Sequence, residues 1–217
     1  MTEILELLQS LESTLAKRLD AMVVSQTSKL PWKAILYAQT LAWRIAELGR
    51  SALDNFEKDR LVAAIILTRA CMETSAALWY LCGKLSAAVD TNCVGDIDDY
   101  LMRLIMGNKV DEVFPQAVNV LNFVDRVDKD VKDFRHQYDV LSEYVHPNWA
   151  GTSLIYAKHN EKTRVTDFGQ NIRNADHTRQ IGILNLSVVL QMFDLSYKRM
   201  TDLVPAFTAL CDSQMGQ

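Results

Sequence analysis

Leu61-Val62-Ala63-Ala64-Ile65-Ile66-Leu67-Thr68-Arg69-Ala70-Cys71-Met72-Glu73-Thr74-Ser75-Ala76-Ala77-Leu78-Trp79-Tyr80-Leu81-Cys82-Gly83 is the stretch that decides the fold. Its length and near-continuous apolarity fit either a helix across a bilayer or a helix enclosed by other helices. Arg69 and Glu73 separate the two readings, because both lie in the middle of the run. A charge at a bilayer centre costs about 2.5–3.5 kcal/mol even on the lenient insertion scale. The expectation is therefore a helix from about Asp54 to Ser86 at the heart of a bundle, with no membrane involved.

The two charges need an explanation of their own. Four residues apart, they can pair along the helix. The basic residue precedes the acidic one, however, which is the weaker orientation for local support. A buried charge without a partner is costly. Their placement points to a contact with a second helix or to a polar cavity.

The segment 134–151 offers that second helix. Phe134, Tyr138, Leu141 and Val145 recur at helical spacing, and Pro147 pushes the residue before it out of the helical region. At roughly 100° per residue, Tyr138 lies near the middle of the apolar face, with Ser142 about 40° and His146 about 80° away from it. Ser142 is thus expected to be near-buried and His146 to sit at the rim. The C-terminal turn favours the imidazolium form, and such a histidine can act as a general acid or base. A structural reading stands beside this one. Ser142 can bond back to the Tyr138 carbonyl, and His146 can cap the helix with Trp149 folded over it. A Ser142–His146 nucleophile–base pair comes with no Gly-x-Ser-x-Gly elbow and no evident oxyanion hole.

Working outward, Ile4, Leu8, Leu11, Leu15, Leu19 and Met22 mark a helix over 1–24. A second helix runs from Pro31 to about Arg50, with Gly49 as its C-terminal cap. Together they form an N-terminal helical pair, 1–50. After the central helix comes an acidic connection, then short helices over 97–106 and 116–127 and the segment 131–146. Asp96, Asp98 and Asp99 read as charge at a helix N-terminus, not as a calcium loop. The β-prone segments 152–157 and 163–168 flank Lys158-His159-Asn160-Glu161-Lys162 and predict a hairpin. An isolated hairpin is marginal, so it is expected to lie against the helices. Residues 172–213 read as a last helix, kinked or interrupted at Pro205. The fold expected is mainly α: one helical domain, 1–217, with a small β-hairpin at about 152–168.

The chain has 217 residues and a net charge of −4, which gives no general attraction to nucleic acid or anionic lipid. Lys158, His159, Lys162, Arg164, Arg173, His177 and Arg179 cluster in sequence, diluted by Glu161, Asp167 and Asp176. A solvated hairpin accounts for them. The four cysteines lack CxxC or metal-type spacing, so Cys71 reads as a core residue. The N-terminus has no basic signal region. A cytoplasmic protein without metal or cofactor is expected.

The pair Leu67-Thr68-Arg69-Ala70-Cys71-Met72-Glu73 and Tyr138-Asp139-Val140-Leu141-Ser142-Glu143-Tyr144-Val145-His146-Pro147 resembles a family of bacterial helical proteins. That family is itself similar to the HEPN (higher eukaryotes and prokaryotes nucleotide-binding) superfamily. The resemblance spans roughly Asp54 to Phe193 and implies a HEPN-like helical core over 54–213, often in a homodimer. Many HEPN proteins are metal-independent endoribonucleases of defence or toxin–antitoxin systems. Their motif is an arginine separated from a histidine by four to six residues on one helix. His146 matches that histidine, but Leu141, Val140 and Asp139 occupy the arginine positions. The resemblance thus implies a non-catalytic or degenerate protein that binds RNA, a nucleotide or a protein partner around Arg69, Glu73, Tyr138, Ser142 and His146. The alternatives are an endoribonuclease in which Arg69 and His146 are catalytic, and a purely structural interaction module. All three rest on one geometric expectation, that the two segments meet.

Overall fold

Apolar residues on nearly every face commit one helix to the interior, and other helices pack around it. In the computed structural model, residues 1–215 are described. The elements in chain order are α1 (Thr2–Ser13), α2 (Ala21–Val24), α3 (Leu30–Glu57), α4 (Leu61–Thr91), α5 (Ile97–Met106), α6 (Val120–Asp130), α7 (Phe134–Val145), α8 (Ser153–Tyr156), β1 (Ala157–Asn160), β2 (Val165–Phe168) and α9 (Ala175–Met215). The fold is mainly α, a helical bundle with one small antiparallel hairpin.

Helix α4 is long and apolar enough, by length and composition, to cross a membrane. Here it is the central helix of the bundle, packed against α3, α6, α7 and α9. Ala64, Ile65, Cys71, Met72, Leu78, Leu81 and Leu85 are fully or almost fully buried along it. One continuous core joins these residues to Ile4 and Leu8 of α1, Phe56 of α3, Val124 of α6, Leu141 of α7 and Phe193 of α9. Fully burying a side chain of this kind contributes roughly 1.5–3 kcal/mol, so shape and hydrophobicity here outweigh any single polar contact.

Several boundaries differ from the sequence expectation. Residues 1–24 do not form one helix: α1 ends at Ser13, and Met22 and Val23 are exposed. Tertiary bonds to α3 replace the helical ladder there. The Ala16 N–H donates to the Gln39 side chain, and its carbonyl accepts from Trp43 Nε1. Gly49 does not cap a helix, because α3 runs through it to Glu57. A Cβ at Gly49 would lie 2.8 Å from a Leu8 methyl and 3.3 Å from Leu190, so the glycine marks where α1 and α9 close on α3. The central helix begins at Leu61, not near Asp54. Asp59, at φ 57°, makes the left-handed break, and Arg179, Gln170 and Asn171 of the α9 side all bond to it.

The segment 116–127 becomes helical only from Val120, where the Asn119 side chain caps the Leu121 N–H. Ser153–Tyr156 is a helical turn and not a strand, since the Tyr156 N–H bonds the Thr152 carbonyl and Ile155 is drawn into the core. The strands pair Ala157 with Phe168 through Asn160 with Val165. Contrary to expectation the hairpin does not lie against the helices: every residue of β2 is exposed, Phe168 by 78%. It is held at its base by the Gly169 N–H to Tyr156 and the Ile172 N–H to Ile155. Pro205 does not interrupt α9, which continues to Met215 with the proline exposed within it.

Candidate functional site

The two segments meet. Arg69 and Glu73 project one turn apart from α4 toward α7, which presents Tyr138 and Ser142, also one turn apart. Arg69 Nε donates to Ser142 Oγ at 2.8 Å. Arg69 Nη2 donates to the Tyr138 hydroxyl and lies 3.4 Å from Glu73 Oε1. The Tyr138 hydroxyl donates to the same Glu73 oxygen at 2.8 Å. The guanidinium carbon also stands 4.6 Å from the centre of the Tyr138 ring, within cation–π range.

Proton positions follow from this arrangement. Burial first, and then the bond to Glu73, push the Tyr138 phenol above its usual range, with Arg69 opposing. The hydroxyl therefore keeps its proton at neutral pH, and that proton has one destination, Glu73. Ser142 has one proton as well, which goes to the Tyr138 carbonyl at 2.8 Å, while its oxygen accepts from Arg69. Tyr138 is 2% exposed, but the side chains of Arg69 and Glu73 keep 25% and 24% of their surface. The junction is closed on its protein side and open at an edge. Arg69 Nη1 and Glu73 Oε2 have no hydrogen-bond partner among the described residues.

His146 stands apart from the network. It is the C-cap of α7, with φ −78° and ψ 146°, and its backbone N–H bonds the Ser142 carbonyl at 3.1 Å. Its ring is exposed and takes no part in the hydrogen bonds of the junction. Trp149 does not fold over it as a closed cap, being 62% exposed itself. Of the five site residues expected from sequence, four form one network and the fifth lies outside it.

Other groups are structurally occupied. Burial pushes the Cys71 thiol up to about 12, which leaves it protonated and inert. Arg135, just upstream on α7, pairs with Asp125 and Asp139 and not with the junction. No group of three or more His, Cys, Asp or Glu is placed to hold a metal among the described residues. A cavity of about 680 Å³ between α1 and α3, lined by Glu12, Trp43 and Arg44 among others, is separate from the junction. Sequence reasoning missed the stacking of Arg69 on Tyr138. It also missed a smaller cavity between α3 and α9, for which Pro205 inside a helical pattern was the available signal.

No family model, curated protein or solved structure matches this chain.

Proposed function

We propose that this chain is a non-catalytic HEPN-like binding module, acting in the cytoplasm as a homodimer. Its partner is RNA, a nucleotide or a protein, bound at the open edge of the α4–α7 junction. The observation that carries this reading is that the His146 ring is exposed and makes none of the hydrogen bonds that hold Arg69; Ser142 offers no substitute for it. Its proton is donated to the Tyr138 carbonyl and its oxygen accepts from Arg69, so the hydroxyl is not poised as a nucleophile. Arg69 is likewise engaged by Ser142, Tyr138 and Glu73. A guanidinium neutralised by an adjacent carboxylate is poorly suited to stabilise charge on a phosphate. What Arg69 and Glu73 leave unused is one donor group, Nη1, and one acceptor, Oε2. That pairing fits an amide or a nucleobase edge, which carries a donor and an acceptor, better than a bare phosphate, which Glu73 repels.

The test is incubation of a broad set of labelled RNAs with the protein in chelator. Every RNA is expected to stay intact with both wild type and His146→Ala. Cleavage by the wild type that disappears in a folded His146→Ala variant would overturn the reading. It would favour an endoribonuclease in which Arg69 stands in for the missing family arginine.

A further inference from the structure

We propose that the cavity of about 300 Å³ between α3 and α9 is a binding site for a small, neutral, largely apolar molecule that carries one hydroxyl group. Helix α3 contributes Ile35, Ala38 and Gln39, and α9 contributes residues from Tyr197 to Pro205. Each set falls at i, i+3, i+4 spacing, so two helix faces form the walls.

Two polar groups there lack a protein partner, for independent reasons. The first is the Tyr197 proton. Gln39 Oε1 accepts from the Ala16 N–H at 3.2 Å, and a backbone N–H can only donate, so the orientation of the amide is settled. Its nitrogen then faces Tyr197 and donates to the hydroxyl oxygen. Tyr197 thus accepts from Gln39, and its own proton has no acceptor among the described residues. Burial raises the phenol pKa, with the Gln39 bond acting against it, so the proton stays on at neutral pH. The second is the Thr201 carbonyl. In a continuous helix it would accept from the N–H of residue 205, but Pro205 has none. Thr201 and Pro205 both line the cavity and are exposed, so the gap in the ladder lies at its open rim, where water reaches it.

A hydroxyl bound in the cavity can accept the Tyr197 proton. The rest of the lining is apolar, Ile35, Ala38, Met200 and Val204, and no charged side chain belongs to it among the described residues. Ions are therefore disfavoured. At about 30 Å³ per water-sized group the volume suits roughly ten non-hydrogen atoms. Apolar walls with a few convergent polar groups are the usual composition of a small-molecule site.

Cyclohexanol is a suitable probe, followed by NMR of the ¹³C-labelled methionine methyls, since Met200 lines the cavity. The expected result is a saturable shift of the Met200 methyl. Tyr197→Phe should weaken binding about fivefold, the worth of one net hydrogen bond, with the far-UV CD spectrum unchanged. Cyclohexane, lacking the hydroxyl, should bind more weakly than cyclohexanol. Val204→Phe should fill the cavity and abolish the shift. Ile35→Phe asks the same from the opposite wall if the first variant does not fold. The proposal is overturned by the absence of a saturable shift, by equal affinity in Tyr197→Phe, by cyclohexane binding as well as the alcohol, or by undiminished binding in a folded, filled variant.

Discussion

Tyr138 holds the α4–α7 junction together because its hydroxyl accepts from Arg69 and donates to Glu73, while its carbonyl takes the proton of Ser142. Groups linked in this way do not act independently. Arg69→Met and Tyr138→Phe are each expected to lower the unfolding free energy by about 1–2 kcal/mol, nearer the lower figure for Arg69, whose side chain is a quarter exposed. The double variant should lose less than the sum, by at least about 0.5 kcal/mol. Urea denaturation of the four proteins measures this, and strict additivity would remove the case for a coupled network. Much of this site was legible in sequence, because Arg69/Glu73 and Tyr138/Ser142 each fall four apart on a helix. The position of His146 was not. Its angle of about 80° from the face centre assumed a continuing helix. Pro147 instead holds His146 in extended geometry, at ψ 146°, so the wheel no longer describes it.

At the scale of elements, helix ends and close approaches depend on what lies opposite. Two glycines within helices make the point. A Cβ at Gly182 of α9 would come within 2.5–2.7 Å of the Phe56 ring, which is fully buried. At Gly83 of α4 nothing lies within 4 Å. Gly182→Ala is expected to cost about 1–3 kcal/mol, because a buried ring must move. Gly83→Ala should stabilise by about 0.5–1 kcal/mol, because only the helical backbone effect remains. Opposite signs in chemical denaturation are the prediction, and a stabilising Gly182→Ala would show that the α3–α9 contact is looser than described. Gly49 belongs with Gly182: a glycine late in an apolar pattern reads as a cap, yet it is where helices converge. Sequence alone does not distinguish the two roles, since the neighbours responsible, Leu8 and Leu190, are remote in the chain.

For the whole molecule, the continuous core and the projecting hairpin contribute very differently to stability. The strands are joined to the bundle at their base, and β2 buries no residue. Replacing residues 158–167 with Asn-Gly, which suits a two-residue turn, is expected to change Tm by no more than about 2 °C, the effect of roughly 0.5 kcal/mol or less in a chain of this size. A thermal melt checks this. A much larger fall would assign the hairpin to the core.

The amino-acid sequence by itself determined the class of fold. A long apolar run interrupted by two central charges favours a bundle over a membrane span, and periodicity then locates the helices, α5 to the residue. These are properties of consecutive residues, set by spacing and transfer free energy. The tertiary structure decided where the elements stop and which polar groups are engaged. Ala16 leaves the helical ladder for Gln39 and Trp43, and Asp59 breaks a helix under Arg179. Ser142 gives up its proton within α7 and accepts from α4. Each outcome is a competition between a local hydrogen bond and one to a residue distant in the chain, and only the packed fold brings that second partner within reach.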